Sequence, residues 1–474
     1  MASEKRQVHF IFFPAMSHGH MIPMIDMARL FASRGVKATV VTTPANVTRI
    51  SKYIHRADVN ILTFKYASEE AGLPEGCEHL DDIPPHLWHN LPMASQKMQE
   101  PIAQILRDHR PDCLVADMFY TWATDVAGRY NIPRLVFHGT SFFSLCLVTS
   151  ISSYQLSKTV SSDSEHFGIP NLPDVIKMTR TELPDFTTNE ESDTGKLFKA
   201  ALESELKSYG VVVNSFYELE PAYVEHLRKE HGRKAWHIGP LSLCIKDVEE
   251  KSNRGKVATI DEHECLKWLN SKEHNSVIYI SFGSSVYFSP SQLREIASAL
   301  EACGHQFIWV VRSQKSSEEE PEGLLPEGFE KRTEGKGLII RGWAPQVSIL
   351  EHQAIGAFMN HSGWNSVLES ITAGVPMVTW PMVADNFVIE KLVTEILKIG
   401  VSVGVKRLDG IKGDSIKSEA IEKALNKIMA GEEAEEMRKR GKTLAELSKR
   451  AVEEGSSYVQ LDAFIEEIAL YRQR

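Results

Sequence analysis

The chain has 474 residues, of which 42% are hydrophobic and 24% charged, and its formal net charge is −10 at pH 7. This length favours two domains over one, and the acidic balance argues against a binder of nucleic acid or anionic membranes. The polar start MASEKRQ does not resemble a secretory leader, and no apolar run is long enough to predict a transmembrane segment. Six cysteines without a C-x-x-C pair indicate a reducing, cytoplasmic setting.

The first third of the chain alternates strand-like and helix-like segments. Strands are predicted at Val8–Pro14, Cys113–Asp117, Arg134–His138 and Gly210–Ser215, all rich in apolar residues. Continuous apolar strands separated by helices predict a parallel sheet that is covered on both faces.

Two polar residues lie at the ends of these strands. His20 stands where the first strand gives way to a helix, a position that disfavours imidazolium and keeps a histidine able to accept a proton. A helix-capping role is an equal alternative, and His18 is a local competitor. Asp117 could accept the second imidazole N–H of His20, as in a catalytic triad, although capping of the next helix is a competing interpretation.

The strand and helix pattern stops and restarts in the second half. Residues 244–260 are charged and aperiodic, which predicts a linker after a first domain of residues 1–243. A second domain is predicted over 261–455, with an acidic loop at 316–323, and residues 456–474 have the pattern of an amphipathic helix. We therefore expect an α/β protein with two doubly wound domains that bind ligands in the cleft between them.

The stretch from Trp343 to Asn386 collects polar and aromatic residues between apolar strands. The segment GAFMNH predicts a strand that ends at His361, and SGWNSVLES predicts a helix whose first backbone N–H groups could bind a diphosphate. Glu369 lies one turn further on and suits ribose hydroxyls, while Trp343 offers a flat face for a base. Each residue alone could be structural, but together they predict a nucleotide site.

Motifs of other nucleotide-dependent classes are absent from the sequence. No G-x-G-x-x-G motif follows a strand, which disfavours nicotinamide and flavin enzymes, and no P-loop motif is present. No Asp-x-Asp motif is available to hold a metal on a diphosphate. A departing diphosphate would therefore be stabilised by a helix N-terminus, His361 and hydroxyl donors. The turn SFGSS at residues 281–285 is a second turn of small residues that could assist.

The stretch from Trp343 to Asn386 resembles the donor-binding signature of plant family 1 UDP-sugar-dependent glycosyltransferases. It has the same 44-residue span, the W-A-P-Q opening and the H-x-G-W-N-S centre. The resemblance extends to G-H-x-x-P at residues 19–23, to the VAD aspartate, to FGS and to HIGPL, so it covers nearly the whole chain. Its details are most similar to the branch that acts on triterpenoids and flavonoids.

The resemblance implies a GT-B fold of two Rossmann-like domains facing across a cleft, with the acceptor in the first domain, the donor in the second, and the final helix packed back on the first. It implies inverting transfer without a metal, from a UDP-sugar co-substrate to a small apolar hydroxylated acceptor. We expect the protein to be a monomer. His20 would be the base, and Asp117 would orient it. The donor residues would be Trp343, Ala344 and Gln346 at the uracil, Glu369 at the ribose, Ser284, His361, Asn365 and Ser366 at the phosphates, and Trp364, Asp385 and Asn386 at the sugar.

Two departures from the family pattern concern the donor. Ser362 replaces a common cysteine, a small change, whereas Asn386 stands where the family commonly has Gln or His. Glucose is the default donor sugar, with galactose and glucuronic acid as alternatives. An apolar acceptor pocket is expected to include Met21, Phe119, Trp122 and Phe143, each of which is equally well explained as a core residue.

Two other classes of protein compete with the transferase hypothesis. One is a non-catalytic protein on the same fold that binds a sugar nucleotide or small molecule, against which the intact His20 and Asp117 argue. The other is a nicotinamide-dependent oxidoreductase, disfavoured by the missing glycine motif.

Overall fold

The computed structural model describes residues 7–54, 58–160, 162–247, 250–251, 254–256, 258–284, 286–312, 325–407 and 415–471. The acidic loop predicted at 316–323 lies outside the described residues. The chain divides into two compact units. The amino-terminal unit comprises Met1–Phe142, Asn189–Ile245 and Arg450–Arg474, and the carboxy-terminal unit comprises Phe143–Thr188 and Lys246–Lys449. Residues 143–188 therefore group with the second unit, whereas a continuous first domain of residues 1–243 was expected.

Short strands alternate with helices along most of the chain. The strands are β1 (His9–Phe13), β2 (Lys37–Thr42), β3 (Val59–Thr63), β4 (Cys113–Asp117), β5 (Arg134–Phe137), β6 (Phe167–Gly168), β7 (Lys177–Met178), β8 (Gly210–Val213), β9 (Ala235–His237), β10 (Val277–Ile280), β11 (Gln306–Val311), β12 (Gly337–Arg341), β13 (Ile355–Asn360), β14 (Met377–Thr379) and β15 (Gly400–Ser402).

The first group of α-helices comprises α1 (His18–Ser33), α2 (Pro44–Ile54), α3 (Leu91–Lys97), α4 (Gln99–His109), α5 (Ala123–Gly128), α6 (Phe142–Ser153), α7 (Leu156–Thr159), α8 (Asp185–Thr188), α9 (Asp193–Leu206) and α10 (Pro221–Lys229). The second group comprises α11 (Glu262–Asn270), α12 (Pro290–Cys303), α13 (Phe329–Arg332), α14 (Gln346–Leu350), α15 (Trp364–Ala373), α16 (Asn386–Lys391), α17 (Ser418–Met429), α18 (Glu432–Glu453) and α19 (Ser456–Tyr471).

Short segments of other helix types complete the described elements. The 3₁₀ turns are Glu69–Ala71, Leu80–Asp82, Pro85–Asn90, Arg180–Glu182, Tyr217–Leu219 and Leu241–Cys244, and a π-helical turn spans Leu392–Ile396. In the part of the chain that is described, no helix is both long and apolar enough to cross a membrane.

The amino-terminal unit is built on a parallel sheet with the strand order β3-β2-β1-β4-β5-β8-β9. Strand β1 is buried on both faces, because side chains of a strand point alternately to its two sides. Phe10 and Phe12 contribute to one apolar cluster, and Ile11 and Phe13 contribute to the other. This burial on both faces explains the uninterrupted apolar strands of the sequence.

Helix α19, the last of the chain, packs within this amino-terminal unit. Leu461, Phe464 and Ile468 of α19 belong to the same cluster as Phe10. The Phe464 ring lies 5.7 Å from that of Phe10 and 4.7 Å from that of Trp236, measured between centroids. The helix thus supplies part of the cover for one face of the sheet.

The carboxy-terminal unit has its own parallel sheet, with the order β12-β11-β10-β13-β14-β15. Both sheets have strand orders that reverse beside a central strand, which defines two doubly wound α/β units. In such sheets ligands bind beyond the carboxyl ends of the strands, where the predicted site residues of each unit lie.

Candidate active-site and donor-binding residues

His20 and Asp117 form a close contact in the amino-terminal unit. Strands β1 and β4 are neighbours, so His20, which follows β1, and Asp117, which ends β4, reach the same edge of the sheet. The distance from His20 Nδ1 to Asp117 Oδ2 is 2.6 Å. The imidazole is 22% exposed and the carboxylate fully buried, so the histidine can meet a ligand while the aspartate cannot. A neutral imidazole that donates its Nδ1 proton to Asp117 carries its lone pair on Nε2.

The remaining polar atoms of Asp117 are held in place by backbone and side-chain contacts. Its Oδ1 accepts a hydrogen bond of 3.1 Å from the amide of Phe119, and its carbonyl accepts one of 2.8 Å from buried Arg134. Burial lowers the pKa of Arg134 to about 10, so its guanidinium remains charged at neutral pH. Gly139 lies against the other side of His20, and a Cβ there would stand 3.5 Å from the imidazole Cε1.

Among the four residues expected to line the acceptor pocket, Phe119 has the surface that such a role requires. Its ring is 38% exposed and lies 5.3 Å from the His20 imidazole, centroid to centroid. Met21 and Trp122 belong to an apolar cluster of the amino-terminal unit, and Phe143 is fully buried in the other unit. The alternative interpretation as core residues fits these three better, because a buried side chain leaves little surface for a ligand.

His361 directly follows β13 in the carboxy-terminal unit and is enclosed by glycines. A Cβ at Gly283 would lie 2.6 Å from the His361 ring, and one at Gly363 would lie 2.4 Å from it, so neither position can accept a larger residue without movement. Burial lowers the pKa of His361 to about 4, which keeps the imidazole neutral near pH 7. Its Nδ1 is buried and has no hydrogen-bond partner among the described residues.

The turn after His361 presents the N-terminus of α15. Ser362 has a φ of 63°, and its amide donates a 2.8 Å hydrogen bond to Asn360 Oδ1. Gly363 is the N-cap, and the first helical residues are Trp364, Asn365 and Ser366. The backbone amides in the first turn of a helix favour an anion, as expected for a diphosphate site. Ser284 follows Gly283 in the neighbouring turn after β10.

Glu369 lies at the centre of a buried polar network. Its Oε2 accepts a 2.8 Å hydrogen bond from Gln346 Nε2, which also lies 3.2 Å from Ser366 Oγ. Its Oε1 is paired with the guanidinium of Arg254, and both side chains of this ion pair are almost fully buried. Three predicted donor residues are thus in contact, and the carboxylate expected to bind ribose already has a cationic partner.

The residues after Arg254 contact Trp343. The Trp343 carbonyl accepts a hydrogen bond of 2.9 Å from the amide of Thr259, and Lys256 Nζ lies 5.9 Å from the centroid of the indole ring. Ala344, which follows Trp343, is 7% exposed. Residues of the predicted linker therefore contact the two side chains expected to hold the base and the ribose.

The pair Asp385 and Asn386 begins α16, and both side chains have protein partners. Asp385 Oδ2 accepts a 2.6 Å hydrogen bond from Ser144 Oγ. Asn386 Oδ1 accepts hydrogen bonds from the amides of Val383 and Met382, at 3.0 and 3.3 Å. The Asn386 amide oxygen thus stabilises its own loop, a contact that the sequence did not indicate.

Arg134, Arg254 and Ser144 were not anticipated from the sequence. Arg134 could have been identified from the sequence, because a cation in a strand of otherwise apolar residues needs a buried partner. Arg254 and Ser144 carry no local signal, since their partners are 115 and 241 residues away.

Comparisons with known proteins identify the family to which this fold belongs. The family UDP-glucoronosyl and UDP-glucosyl transferase matches residues 213–438, and the family Glycosyltransferase, N-terminal domain matches residues 6–243. The chain is 53% identical over 473 residues to scopoletin glucosyltransferase of Nicotiana tabacum, with 98% of each chain covered. It is 53% identical over 474 residues to UDP-glucose flavonoid 3-O-glucosyltransferase 7 of Fragaria ananassa, covering 98% of this chain and 96% of that one.

Solved structures show the same fold. Glycyrrhiza uralensis UGT73P12, complexed with glycyrrhetinic acid 3-O-monoglucuronide, matches with a TM-score of 0.91 at 41% identity over 98% of this chain and 96% of that one. Medicago truncatula UGT71G1, complexed with UDP-glucose, matches with a TM-score of 0.81 at 26% identity over 99% of this chain and all of that one.

The chain belongs to the plant family 1 UDP-glycosyltransferases and has their GT-B fold. It is an enzyme that transfers a sugar from a UDP-sugar co-substrate.

Proposed function

We propose that the enzyme transfers glucose from UDP-glucose to a hydroxyl of an apolar plant secondary metabolite, with inversion at the anomeric carbon and without a metal ion. The observation that carries this proposal is the 2.6 Å contact between His20 Nδ1 and Asp117 Oδ2. A half-buried imidazole fixed by a buried carboxylate is suited to take a proton from an alcohol at Nε2.

The proposed reaction is a single displacement. The acceptor O–H proton moves to His20 Nε2, the acceptor oxygen bonds to the anomeric carbon, and the bond from that carbon to the UDP oxygen breaks. Asp117 stabilises the imidazolium that forms. Because the nucleophile attacks opposite to the leaving group, an α-linked donor yields a β-glycoside, through an oxocarbenium-like transition state.

The proposed donor site uses residues of the carboxy-terminal unit. Trp343, Ala344 and Gln346 would bind the uracil and Glu369 the ribose, with Trp364, Asp385 and Asn386 at the sugar. Ser284, His361, Asn365, Ser366 and the first turn of α15 would bind the diphosphate. The buried Nδ1 of His361 supports this assignment, since a neutral imidazole can donate to a phosphate oxygen. Donation from helix amides and neutral side chains could stabilise departing UDP without a cation.

The proposed acceptor is apolar, such as a flavonoid or a triterpenoid. The exposed ring of Phe119 beside His20 supports an apolar partner at the base. The named relatives also support it, because their names and complexes refer to scopoletin, a flavonoid and a glycyrrhetinic acid glucuronide. We therefore propose that the acceptor has a scaffold of one of these kinds. The proposal includes acceptors that already carry a sugar.

A mass-spectrometric product screen tests the proposal. UDP-glucose, UDP-galactose, UDP-glucuronic acid and UDP-xylose would each be combined with pooled flavonoid and triterpenoid acceptors, with and without EDTA. We expect an EDTA-resistant hexoside, predominantly from UDP-glucose, with a β-anomeric proton in its NMR spectrum. An α-glycoside would contradict inversion, and loss of product in EDTA would contradict metal independence. A dominant donor other than UDP-glucose would contradict the proposed donor.

A further inference from the structure

We propose that His18, His79 and Asp81 form a binding site for a zinc-like divalent cation, separate from the residues of sugar transfer. Within the part of the chain that the structure describes, this is the one group of three histidine, cysteine or carboxylate side chains placed to share an ion. Their potential ligand atoms all lie within 4.8 Å of one another.

Two of the separations between histidine and carboxylate atoms are close to those of a tetrahedral zinc site. His18 Nδ1 lies 3.3 Å from Asp81 Oδ2, and His79 Nδ1 lies 3.8 Å from Asp81 Oδ1. Zinc bonds of roughly 2.0–2.2 Å to nitrogen and oxygen place neighbouring ligand atoms of a tetrahedron about 3.4 Å apart. The same 3.3 Å separation is longer than the ~2.7–2.9 Å of a charge-assisted hydrogen bond, so a simple ion pair explains it less well.

The burial of the site and its histidine ligands favour a borderline-soft cation such as zinc over a hard cation such as magnesium or calcium. His18 and His79 are 6% and 1% exposed, and their rings meet edge to face with centroids 4.2 Å apart. Two adjacent imidazolium ions would repel each other, whereas two neutral imidazoles are the ligands that zinc prefers. Asp81 adds a carboxylate, and its side chain is 11% exposed, which gives an ion a route of entry.

The turn that supplies two of the ligands is held from several sides. Asn46 Nδ2 donates a 2.9 Å hydrogen bond to the carbonyl of Glu78, and the amide of Leu80 donates one of 2.8 Å to the carbonyl of Met16. The neighbouring carboxylate, Asp82, is paired with Arg49 at 2.5 Å, which leaves Asp81 as the carboxylate directed at the histidines. Ligands on a supported turn are already close to the arrangement that binding requires.

One existing contact would have to change. The amide of Asp81 donates a 3.1 Å hydrogen bond to His79 Nδ1, so a bound ion would take over that lone pair or use Nε2 instead. The first turn of α1 carries both His18 and His20, but His18 lies outside the proposed path of the proton. Removal of the cation should therefore leave sugar transfer intact.

Isothermal titration of EDTA-treated enzyme with ZnCl₂, under reducing conditions, tests the site. We expect one zinc ion per chain, with affinity lowered at least about tenfold in His79→Asn and in Asp81→Asn. Asparagine keeps an acceptor for the amide of Asp81, which protects the local fold. His86→Asn replaces an exposed histidine nearby and is the matched control, expected to bind as the wild type does.

Thermal unfolding with and without zinc is a second measurement that does not rely on calorimetry. Each variant is compared with itself, so a folding defect in one variant does not affect the comparison. Zinc should raise the thermal unfolding temperature of the wild type and of His86→Asn but not of Asp81→Asn, because only a ligand of the folded state stabilises it. Binding unchanged in both ligand variants, or no binding to the wild type, would overturn the proposal. Loss of binding in Cys77→Ser, with His79→Asn unaffected, would overturn it in favour of a thiol site.

Discussion

At the scale of single residues, the contacts and the burial of Asp117 indicate how its carboxylate can act. One carboxylate oxygen faces the His20 imidazole, and the other accepts the amide of Phe119. The carboxylate is fully buried, so it can act on a substrate only through the histidine. Asp117 is thus proposed as a positioning residue and His20 as the base.

Asp117→Asn should lower kcat by about 10²–10⁴-fold, because the amide no longer stabilises an imidazolium and can hold the wrong tautomer of His20. The UDP dissociation constant should stay unchanged. Steady-state kinetics with a saturating donor, together with titration of UDP, separate the two quantities. Asp125→Asn changes an exposed aspartate of α5 and is the control. Equal activity of the two variants would rule out the proposed role of Asp117.

Arg254 forms an ion pair with Glu369, whose carboxylate is the proposed ligand of the ribose. If the ion pair with Glu369 must open for UDP to bind, the apparent affinity is reduced by the fraction of enzyme in the closed arrangement. We predict that Arg254→Ala binds UDP several-fold more tightly in calorimetric titration. Lys251→Ala removes a nearby cation that pairs with Glu351 at 2.7 Å, and it should leave UDP affinity unchanged. Weaker UDP binding by Arg254→Ala would instead make the guanidinium a ligand of the nucleotide.

At the scale of elements, α19 stabilises the amino-terminal unit through one apolar stripe. Phe464 is fully buried between rings of β1, α1 and β9. Phe464→Ala should lower the free energy of unfolding by about 3–5 kcal/mol, from lost burial and the cavity left behind. Urea denaturation monitored by circular dichroism measures this change. Leu470→Ala alters an exposed residue of the same helix, and a cost equal to that of Phe464→Ala would contradict the packing.

Glu390 links β14 and α16 through a buried carboxyl group. Burial raises its pKa to about 7, despite the hydrogen bond from Thr379 Oγ1 at 2.5 Å. The folded state then binds the proton more tightly than the unfolded state, so this contribution to stability is complete below about pH 4.5 and is lost as the pH rises towards 7.

Glu390→Gln should remove this pH dependence. The free energy of unfolding of the variant relative to the wild type should increase between pH 4.5 and 8 by on the order of 2–3 kcal/mol. Urea denaturation curves at several pH values give this difference, and the contributions of other titrating groups cancel in it. A difference that does not vary with pH would show that Glu390 ionises normally in the folded protein.

Periodicity and strand-end residues predicted much of the local architecture. The apolar strands of the first third are present, and the parallel pairing of β1 with β4 explains why His20 and Asp117 meet. The grouping of residues 143–188 with the second unit could not be read from the sequence, because contacts such as Ser144 with Asp385 join positions 241 residues apart. The partner of Glu369 was hidden for the same reason, in a charged segment without periodicity.

At the scale of the whole molecule, the proposed chemistry is divided between the two units. His20 and Asp117 belong to the amino-terminal unit, and the proposed donor residues belong to the carboxy-terminal unit. This division predicts that donor binding and proton abstraction can be separated by mutation. A defect at the base should leave the nucleotide site intact, because the two sets of side chains belong to different packed units.

The most direct measurement is therefore a comparison of UDP affinity and product formation in His20→Ala. We expect calorimetry to give the wild-type UDP dissociation constant, while mass spectrometry detects product formation at least about 10²-fold slower than for the wild type. Turnover close to that of the wild type would contradict the assignment of His20 as the base that activates the acceptor.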